Sequence, residues 1–214
     1  MADALDLRGA SATVTDGLAA IAAVHGDGDL PRIPVRMVSG VVFAAAYRVS
    51  ADEEPVEVAV NIAGSRQAWS LVHEFGRFID HQTLGERGAF ASHRHGDLDE
   101  WRVAVDASRA VRILQGILIE GGLTIVEDGL ERRIPVDAGF FEIQLSYPEM
   151  WARSYAQFIA LRSGDPTLTA QLLGLLRLSS EGGDAPYTLQ WESADFAPIL
   201  ETIDQLFKRK GWRR

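Results

Sequence analysis

The amino-acid sequence predicts an α+β protein in which a small N-terminal β-sheet packs on a mainly helical body. Strand-like apolar patterns are concentrated between residues 35 and 62, and helical spacing dominates from about residue 66 onward. A chain of 214 residues is also long enough to bury roughly 70% of its unfolded surface. We therefore predict a single domain over residues 1–214, with an N-terminal α/β part at about 1–64, a helix at about 66–84 and a helical part at about 97–210.

The N-terminal part is predicted to contain one helix and two strands. Apolar residues within 14–24 lie on one helical face, and we expect this helix to end at Gly26. Residues 35–49 are rich in Val, Ala and Phe, which predicts a single, largely buried strand. Residues 56–62 alternate Val or Ile with other residues, which predicts a half-buried strand after a turn at 52–55.

Five helices are predicted in the remainder of the chain. The first runs over residues 66–84, with Ser65 as its N-cap and Gly85 at its end. An acidic capping box at 97–100 begins a long second helix that runs to about Glu120. The last three helices are predicted at 148–161, with Pro148 in the first turn, at 166–178 and at 194–209.

The segment between the second and third of these helices gives no single prediction. Residues 123–146 carry mixed patterns, and Asp128 with Gly129 is a turn candidate within them.

Composition excludes several classes of function. The formal net charge is −9, which argues against a general nucleic-acid binder. There is no cysteine, so His, Asp and Glu are the only strong metal ligands. The acidic N-terminus lacks the pattern of a signal peptide, and the longest apolar run, Val41 to Tyr47, is too short to cross a bilayer. These features predict a soluble protein in the cytoplasm or associated with a virion, without membrane partners.

The most informative segment is Ser70 to His81, which reads Ser-Leu-Val-His-Glu-Phe-Gly-Arg-Phe-Ile-Asp-His. Zinc proteases of the zincin class carry His-Glu-x-x-His on a helix, because one turn brings both imidazoles to one metal ion and the Glu activates its bound water. His73 and Glu74 occupy the first two positions of this pattern, but Arg77 occupies the place of the second His. As a pair, His73 and Arg77 have no metal-binding mechanism.

Two neighbouring features strengthen the pattern. The strand at 56–62 directly precedes the helix, as the substrate-pairing edge strand does in zincins. Glu149 lies at the start of a later helix and would supply a third ligand, as in gluzincins. There are also simpler interpretations. Glu149 could form a surface pair with Arg153 one turn later, and His73 could be a buried helix histidine that is hydrogen-bonded to a neighbour.

Together these segments resemble the zincin-like metallopeptidases, of gluzincin type, from phages and bacterial prophage regions. The family carries a segment similar to His-Glu-Phe-Gly-His-Phe-Ile-Asp-His and an aromatic helical segment like that from Tyr147 to Phe158. The stretch from Trp191 to Ile199 is similar to the start of the family's C-terminal helix. The resemblance spans roughly residues 45–210. It implies a zincin-like fold, zinc as the cofactor, and a protein or peptide as substrate or partner.

For individual residues, the resemblance implies that His73 and Glu149 are zinc ligands and that Glu74 is the general base of peptide-bond hydrolysis. Arg77 stands where the family has its second zinc-ligating His. A guanidinium stays protonated and has no lone pair for a cation, and its charge disfavours a nearby dication. It does suit carboxylates, so we expect Arg77 within hydrogen-bond distance of Glu149 or Glu74.

The sequence therefore predicts a degenerate or inactivated zinc site that binds zinc weakly or not at all, on a scaffold that binds a protein partner. One alternative is an active zinc peptidase in which another residue, such as His81 or His93, completes the site. His81 lies about 80° around the helix from His73, and His93 lies in a loop, so neither is expected to face the same metal. Another alternative is a phage-associated structural or packaging protein that has inherited the motif.

Overall fold

A computed structural model describes residues 5–6, 11–26, 30–127, 130–180 and 187–212. Within these ranges the chain forms eight α-helices, one four-stranded sheet and one two-stranded sheet, so the predicted α+β class is confirmed. None of the helices in these ranges is both long enough and apolar enough to cross a membrane. The predicted turn at Asp128 and Gly129 lies outside the described residues.

The N-terminal sheet has the strand order β1-β2-β4-β3. Strands β1, β2 and β4 are parallel, whereas β3 runs antiparallel to β4. The strands are β1 (Leu5–Asp6), β2 (Ile33–Val38), β3 (Ala45–Val49) and β4 (Pro55–Asn61).

The prediction of one continuous strand at 35–49 is wrong, because the chain turns between β2 and β3. Gly40 has a φ of +68°, a left-handed conformation that glycine adopts without strain. The side-chain amide of Asn61, at the end of β4, donates hydrogen bonds to the carbonyl groups of Val41 and Phe43, each at 3.1 Å. These long-range contacts hold a turn that composition alone does not indicate.

Strand β4 lies inside the sheet, which changes two predictions. Val58 and Val60 are buried as expected, but Glu57 and Ala59 are buried too, so the strand is not half-buried along its middle. The charge of the Glu57 carboxylate is compensated by Arg36 of β2 at 2.8 Å and by Arg48 of β3 at 3.1 Å. The edge strand beside the motif helix is β3 rather than β4, so the segment at 56–62 is not a substrate-pairing edge.

The predicted helices are all present, and two differences from the prediction follow from specific contacts; the helix predicted at 66–84 also ends earlier than expected, at Gln82 with Thr83 as its C-cap and not at Gly85. The first is the start of the motif helix, where Arg66, and not Ser65, precedes the first helical turn and makes no side-chain cap. The side chain of Gln67 instead donates to the carbonyl of Ile62 at 2.8 Å. The helices are α1 (Ala12–Val24), α2 (Gln67–Gln82), α3 (Asp99–Ala107), α4 (Arg109–Glu120), α5 (Ala138–Gln144), α6 (Tyr147–Ser163), α7 (Pro166–Ser180) and α8 (Ser193–Arg209).

The second difference is a break in the helix predicted at 97–120. Ser108 is extended, and its side chain accepts a hydrogen bond from the amide of Val111, so it is the N-cap of α4. The Asp195 carboxylate, from the start of α8, accepts from the amides of Arg109 and Ala110 at 2.7 and 3.0 Å. The acidic residues at 97–100 span a 3-10 turn and the first residues of α3, and no side chain caps α3.

The segment with mixed patterns forms a hairpin followed by a short helix. Strands β5 (Gly122–Glu127) and β6 (Leu130–Pro135) are antiparallel and make up the two-stranded sheet, and α5 follows. Gly121 ends α4 with a φ of +66° and directs the chain into β5. The predicted position of Pro148 in the first turn of α6 is confirmed.

The core is centred on the contact between α2 and α6. Gly76 makes this contact close, since a Cβ atom at this position would lie 2.8 Å from Tyr155 Cδ1 and 3.2 Å from Ala152 Cα. The indole of Trp151 donates to the Gly76 carbonyl at 3.0 Å. Helices α1 and α7, together with the sheet, also pack on α2. Helix α2, which carries the motif residues, is therefore central to the fold.

Candidate functional site

The candidate site lies where the middle of α2 faces the first turn of α6. His73 Nε2 lies 3.4 Å from Glu149 Oε1, so the two sequence-predicted ligands share one site. Arg77, one turn after His73, donates from Nη2 to Glu149 Oε2. The expected contact between Arg77 and Glu149 is therefore present. The roles of His73 and Glu149 as ligands and of Glu74 as a base stay predictions.

Glu74 links this site to the edge of the sheet. Its Oε2 atom accepts a hydrogen bond from the amide of Tyr47 in β3 at 2.8 Å and lies 3.7 Å from Arg77 Nε. Its Oε1 atom lies 3.8 Å from His73 Nε2. The carboxylate is thus held by the backbone of an edge strand on one side and by the two basic side chains of α2 on the other.

The short distance between α2 and α6 depends on the glycine within the motif. Gly76 directly precedes Arg77, and its lack of a side chain lets the α6 backbone approach at Ala152. Glu149 lies one turn earlier on α6 than this contact, so the approach brings its carboxylate within reach of the Arg77 guanidinium. The glycine therefore sets the geometry of the site.

The neighbouring charges in the site shift the pKa values of His73 and Glu149 toward their ionised forms. Burial by itself lowers the pKa of His73, but the charge and hydrogen bond of Glu149 and the charge of Glu74 outweigh burial, so the pKa is raised. For Glu149, burial by itself raises the pKa, but His73 and then Arg77 outweigh it, so the pKa lies well below its usual range. The site therefore favours an ionised Glu149 beside cationic partners.

Arg153 lies near this site, although one interpretation of the sequence placed it in a surface pair with Glu149. It is buried, lies over the ring of Trp191 with 5.0 Å between its guanidinium carbon and the ring centroid, and adds positive charge near Glu149. Burial lowers the pKa of Arg153 to about 10. The interpretation of Glu149 and Arg153 as a solvated surface pair is wrong, because both side chains are buried. Their spacing of four residues was the only available signal.

The other histidines lie apart from this site. His81 is buried. Its Nδ1 atom lies 2.9 Å from the hydroxyl of Tyr47 and 2.9 Å from the side-chain Nε2 atom of Gln82. Its Nε2 lies 3.7 Å from Glu53. His93 is exposed in a 3-10 turn. In the described part of the chain, no three His, Asp or Glu side chains are grouped as metal ligands would be.

The residues of the site do not fit the zinc centre that the resemblance implies. A catalytic zinc takes three protein ligands and a water, whereas only two of the three ligand positions of the motif, those of His73 and Glu149, hold a lone-pair donor. The third position holds the guanidinium of Arg77, which is bonded to the carboxylate that would bind the metal. A dication here would have to displace that guanidinium and would be repelled by it. We therefore derive no catalytic step that uses a metal in this chain.

The comparisons with known proteins add no further similarity. Comparison of the chain with protein-family models, with curated proteins and with solved structures finds no match. The resemblance to zincin-like metallopeptidases therefore stays an expectation that rests on the motif residues of the sequence.

Proposed function

We propose that this protein carries a degenerate zincin-like site, in which Arg77 takes the place of a zinc ion, and that the scaffold binds a protein or peptide partner. The observation that carries the proposal is the hydrogen bond from the Arg77 guanidinium to Glu149, beside His73 and Glu74. These contacts involve the three motif positions and the later Glu that the zincin pattern requires. A cation is provided by the chain itself, at the position of the second imidazole.

The charge balance supports the proposal. Glu74 and Glu149 bring two negative charges into a site of low exposure, where uncompensated carboxylates are costly. Arg77 contacts both, and the raised pKa of His73 increases its fraction of cationic imidazole. The carboxylates are thus compensated without a metal ion, and the fold does not require zinc in order to bury them.

A binding role is supported by the position of the site beside β3. This strand is at the end of the sheet order among the described strands, and Glu74 fixes its backbone at Tyr47. An extended peptide can add to such an edge through main-chain hydrogen bonds. The alternative of an active peptidase with a substitute ligand has less support, since His81 contacts Tyr47 and Glu53 instead of Glu149. No specific observation favours a packaging role.

Replacement of Arg77 by histidine tests the degenerate site. We expect Arg77→His to bind one zinc ion per chain, and its thermal melting temperature to rise with zinc and fall with chelator, because a ligand of the native state adds to its stability. The unchanged protein should melt at the same temperature in both conditions. Arg112→His, at an exposed position of α4, is the matched control and should also show no effect of zinc.

The outcome is read from zinc content, melting temperature and hydrolysis of casein. Glu149→Ala in the Arg77→His background should abolish the zinc effect if Glu149 is a ligand. Equal melting of Arg77→His with zinc and with chelator would contradict an inherited zinc site. Zinc-dependent casein hydrolysis by the unchanged protein would contradict the degenerate site and favour the active peptidase.

A further inference from the structure

The outer strand of the hairpin β5–β6 is exposed, and it carries opposite charges that could pair with those of a second copy of the same strand. Among the described strands, β6 pairs with β5 and with nothing else, and all six of its residues are exposed. Its sequence is Leu130-Glu131-Arg132-Arg133-Ile134-Pro135. A two-stranded hairpin by itself is at best marginally stable in water, whereas a sheet of three or more strands with a hydrophobic face can be stable by itself. The outer edge of β6 is therefore a place where another strand would add stability.

We propose that β6 pairs antiparallel with β6 of a second copy of this chain, so that two hairpins form one four-stranded sheet. The twofold axis of such a pair is perpendicular to the sheet and leaves each face on its own side. A residue can then pair only with residues of its own face, which are separated by an even number of positions. The axis must therefore pass between two copies of the same residue, which face each other across the pair of strands.

Among the three charged residues of β6, only Arg132 gives favourable pairs along the strand when it is the central residue. With Arg132 at the axis, Glu131 lies opposite the partner's Arg133, and Leu130 lies opposite the partner's Ile134. Each of these pairs occurs twice. With Glu131 at the axis, Leu130 would oppose an arginine, and with Arg133 at the axis, Ile134 would oppose one. Cross-strand pairs of opposite charge and of apolar residues stabilise sheets, so the sequence of β6 selects the first register.

The contacts available to these residues agree with this register. Leu130 and Ile134 have 70% and 36% of their surface exposed, so apolar area is available for burial. Arg133 donates to the carbonyl of Glu120, which uses one of the five N–H groups of its guanidinium and leaves others for Glu131 of a second copy. The two copies of Arg132 at the axis repel each other, and the interface is small, so we expect a weak dimer that dissociates on dilution.

Charge reversal tests the register. Glu131→Arg and Arg133→Glu each place like charges opposite one another, and each variant alone should dimerise at least tenfold more weakly than the unchanged chain. An equimolar mixture of the two variants should form a heterodimer, because both pairs between positions 131 and 133 then have opposite charges while the pair at Arg132 is unchanged. Sedimentation equilibrium measures both results. Dimers of equal strength in all samples would contradict this pairing.

A cross-linking experiment gives a measurement that does not depend on charge. The chain has no cysteine, so Arg132→Cys introduces a single thiol. Residues that face each other across an antiparallel pair have Cα atoms about 4.5–5.5 Å apart, which a disulfide can bridge. We expect mild oxidation to convert Arg132→Cys into a covalent dimer much faster than Glu131→Cys, the control one residue from the axis.

Charged edge strands also serve to prevent association, and that alternative predicts different results. The unchanged chain would then remain monomeric up to about 0.5 mM, a concentration at which even a dimer with a dissociation constant of about 0.2 mM is detectable. Arg132→Cys and Glu131→Cys would then cross-link at equal, slow rates. Either result would overturn the proposed dimer.

Discussion

Two of the buried carboxylates at helix α2, Glu149 opposite the helix and Asp80 within it, are stabilised in different ways. Glu149, opposite the middle of the helix, is contacted by the cationic groups of Arg77 and His73, and its pKa lies below the usual range. Asp80, nearer the end of the helix, accepts hydrogen bonds from the amide and the hydroxyl of Ser92 at 2.7 and 2.6 Å. Burial nevertheless raises the pKa of Asp80 to about 7.

Burial alone therefore does not decide the charge of a carboxylate in this protein. Cationic partners compensate the desolvation of Glu149, whereas the neutral donors of Ser92 compensate that of Asp80 only in part. The first arrangement forms a site with separated charges that could meet a ligand. The second fastens the 3-10 turn Ala91–His93 to α2. Three predictions test this contrast.

The largest effect is expected from removal of the cation. Arg77→Ala leaves the buried Glu149 with His73 and the more distant Arg153, and we expect a loss of about 2–4 kcal/mol in the free energy of unfolding. Arg36→Ala removes an exposed arginine that pairs with Glu57, and Arg48 still pairs with this carboxylate, so the change should cost under about 1 kcal/mol. Urea unfolding at pH 7 measures both.

A second variant separates lost charge pairing from lost packing. In the Arg77→Ala background, Glu149→Gln removes the uncompensated charge, so it should restore a large part of the stability. If Arg77→Ala costs no more than Arg36→Ala, the guanidinium is not a structural substitute for a metal ion.

The pH dependence of stability should reflect Asp80. Between its usual pKa of 3.8 and about 7, the unfolded chain ionises while the folded chain keeps the proton, so stability falls as pH rises. From pH 5 to pH 7 this amounts to about 2 kcal/mol. His73 acts in the same direction: its raised pKa contributes stability that is complete below about 6.5 and is lost at higher pH.

Glu149 acts in the opposite direction and at lower pH. Its lowered pKa contributes stability that is present above about 4.5 and is lost as the pH falls further. The maximum of stability should therefore lie near pH 5, as unfolding in urea across the pH range can establish. Asp80→Asn should flatten the decline between pH 5 and pH 7, and a decline of unchanged slope would show that Asp80 is not its cause.

The smallest effect concerns the glycine that joins the two helices. In Gly76→Ala, the new Cβ atom would lie 2.8 Å from the Tyr155 ring and 3.2 Å from the α6 backbone, so we expect a loss of about 1–3 kcal/mol. Gly116→Ala, in α4, meets no atom within 4 Å and should stabilise the protein by about 0.5–1 kcal/mol through helix propensity. The difference between these two alanine variants in thermal melts is the measurement. Two changes of the same sign and size would argue against the close contact.

The sequence by itself determined the class of the fold, the position of α2 and α6, and the contact of Arg77 with Glu149. Helical periodicity, the proline in the first turn of α6 and the one-turn spacing of His73 and Arg77 are all local signals, because each depends on residues within a few positions of one another. The carboxylate of Glu149 could be predicted to meet Arg77 because a buried acid requires a nearby cation.

Only the tertiary structure decided which strand is the edge, where the helix at 97–120 breaks, and how Asp80 and Arg153 are buried. The break at Ser108 is fixed by Asp195, which is 86 positions from Arg109 in the chain, and the burial of Arg153 depends on Trp191. Such contacts leave no periodic signal, because they join residues that approach one another only after the core has packed. The protonation of Asp80 belongs to the same group, since desolvation is a property of the packed interior and not of the sequence around the residue.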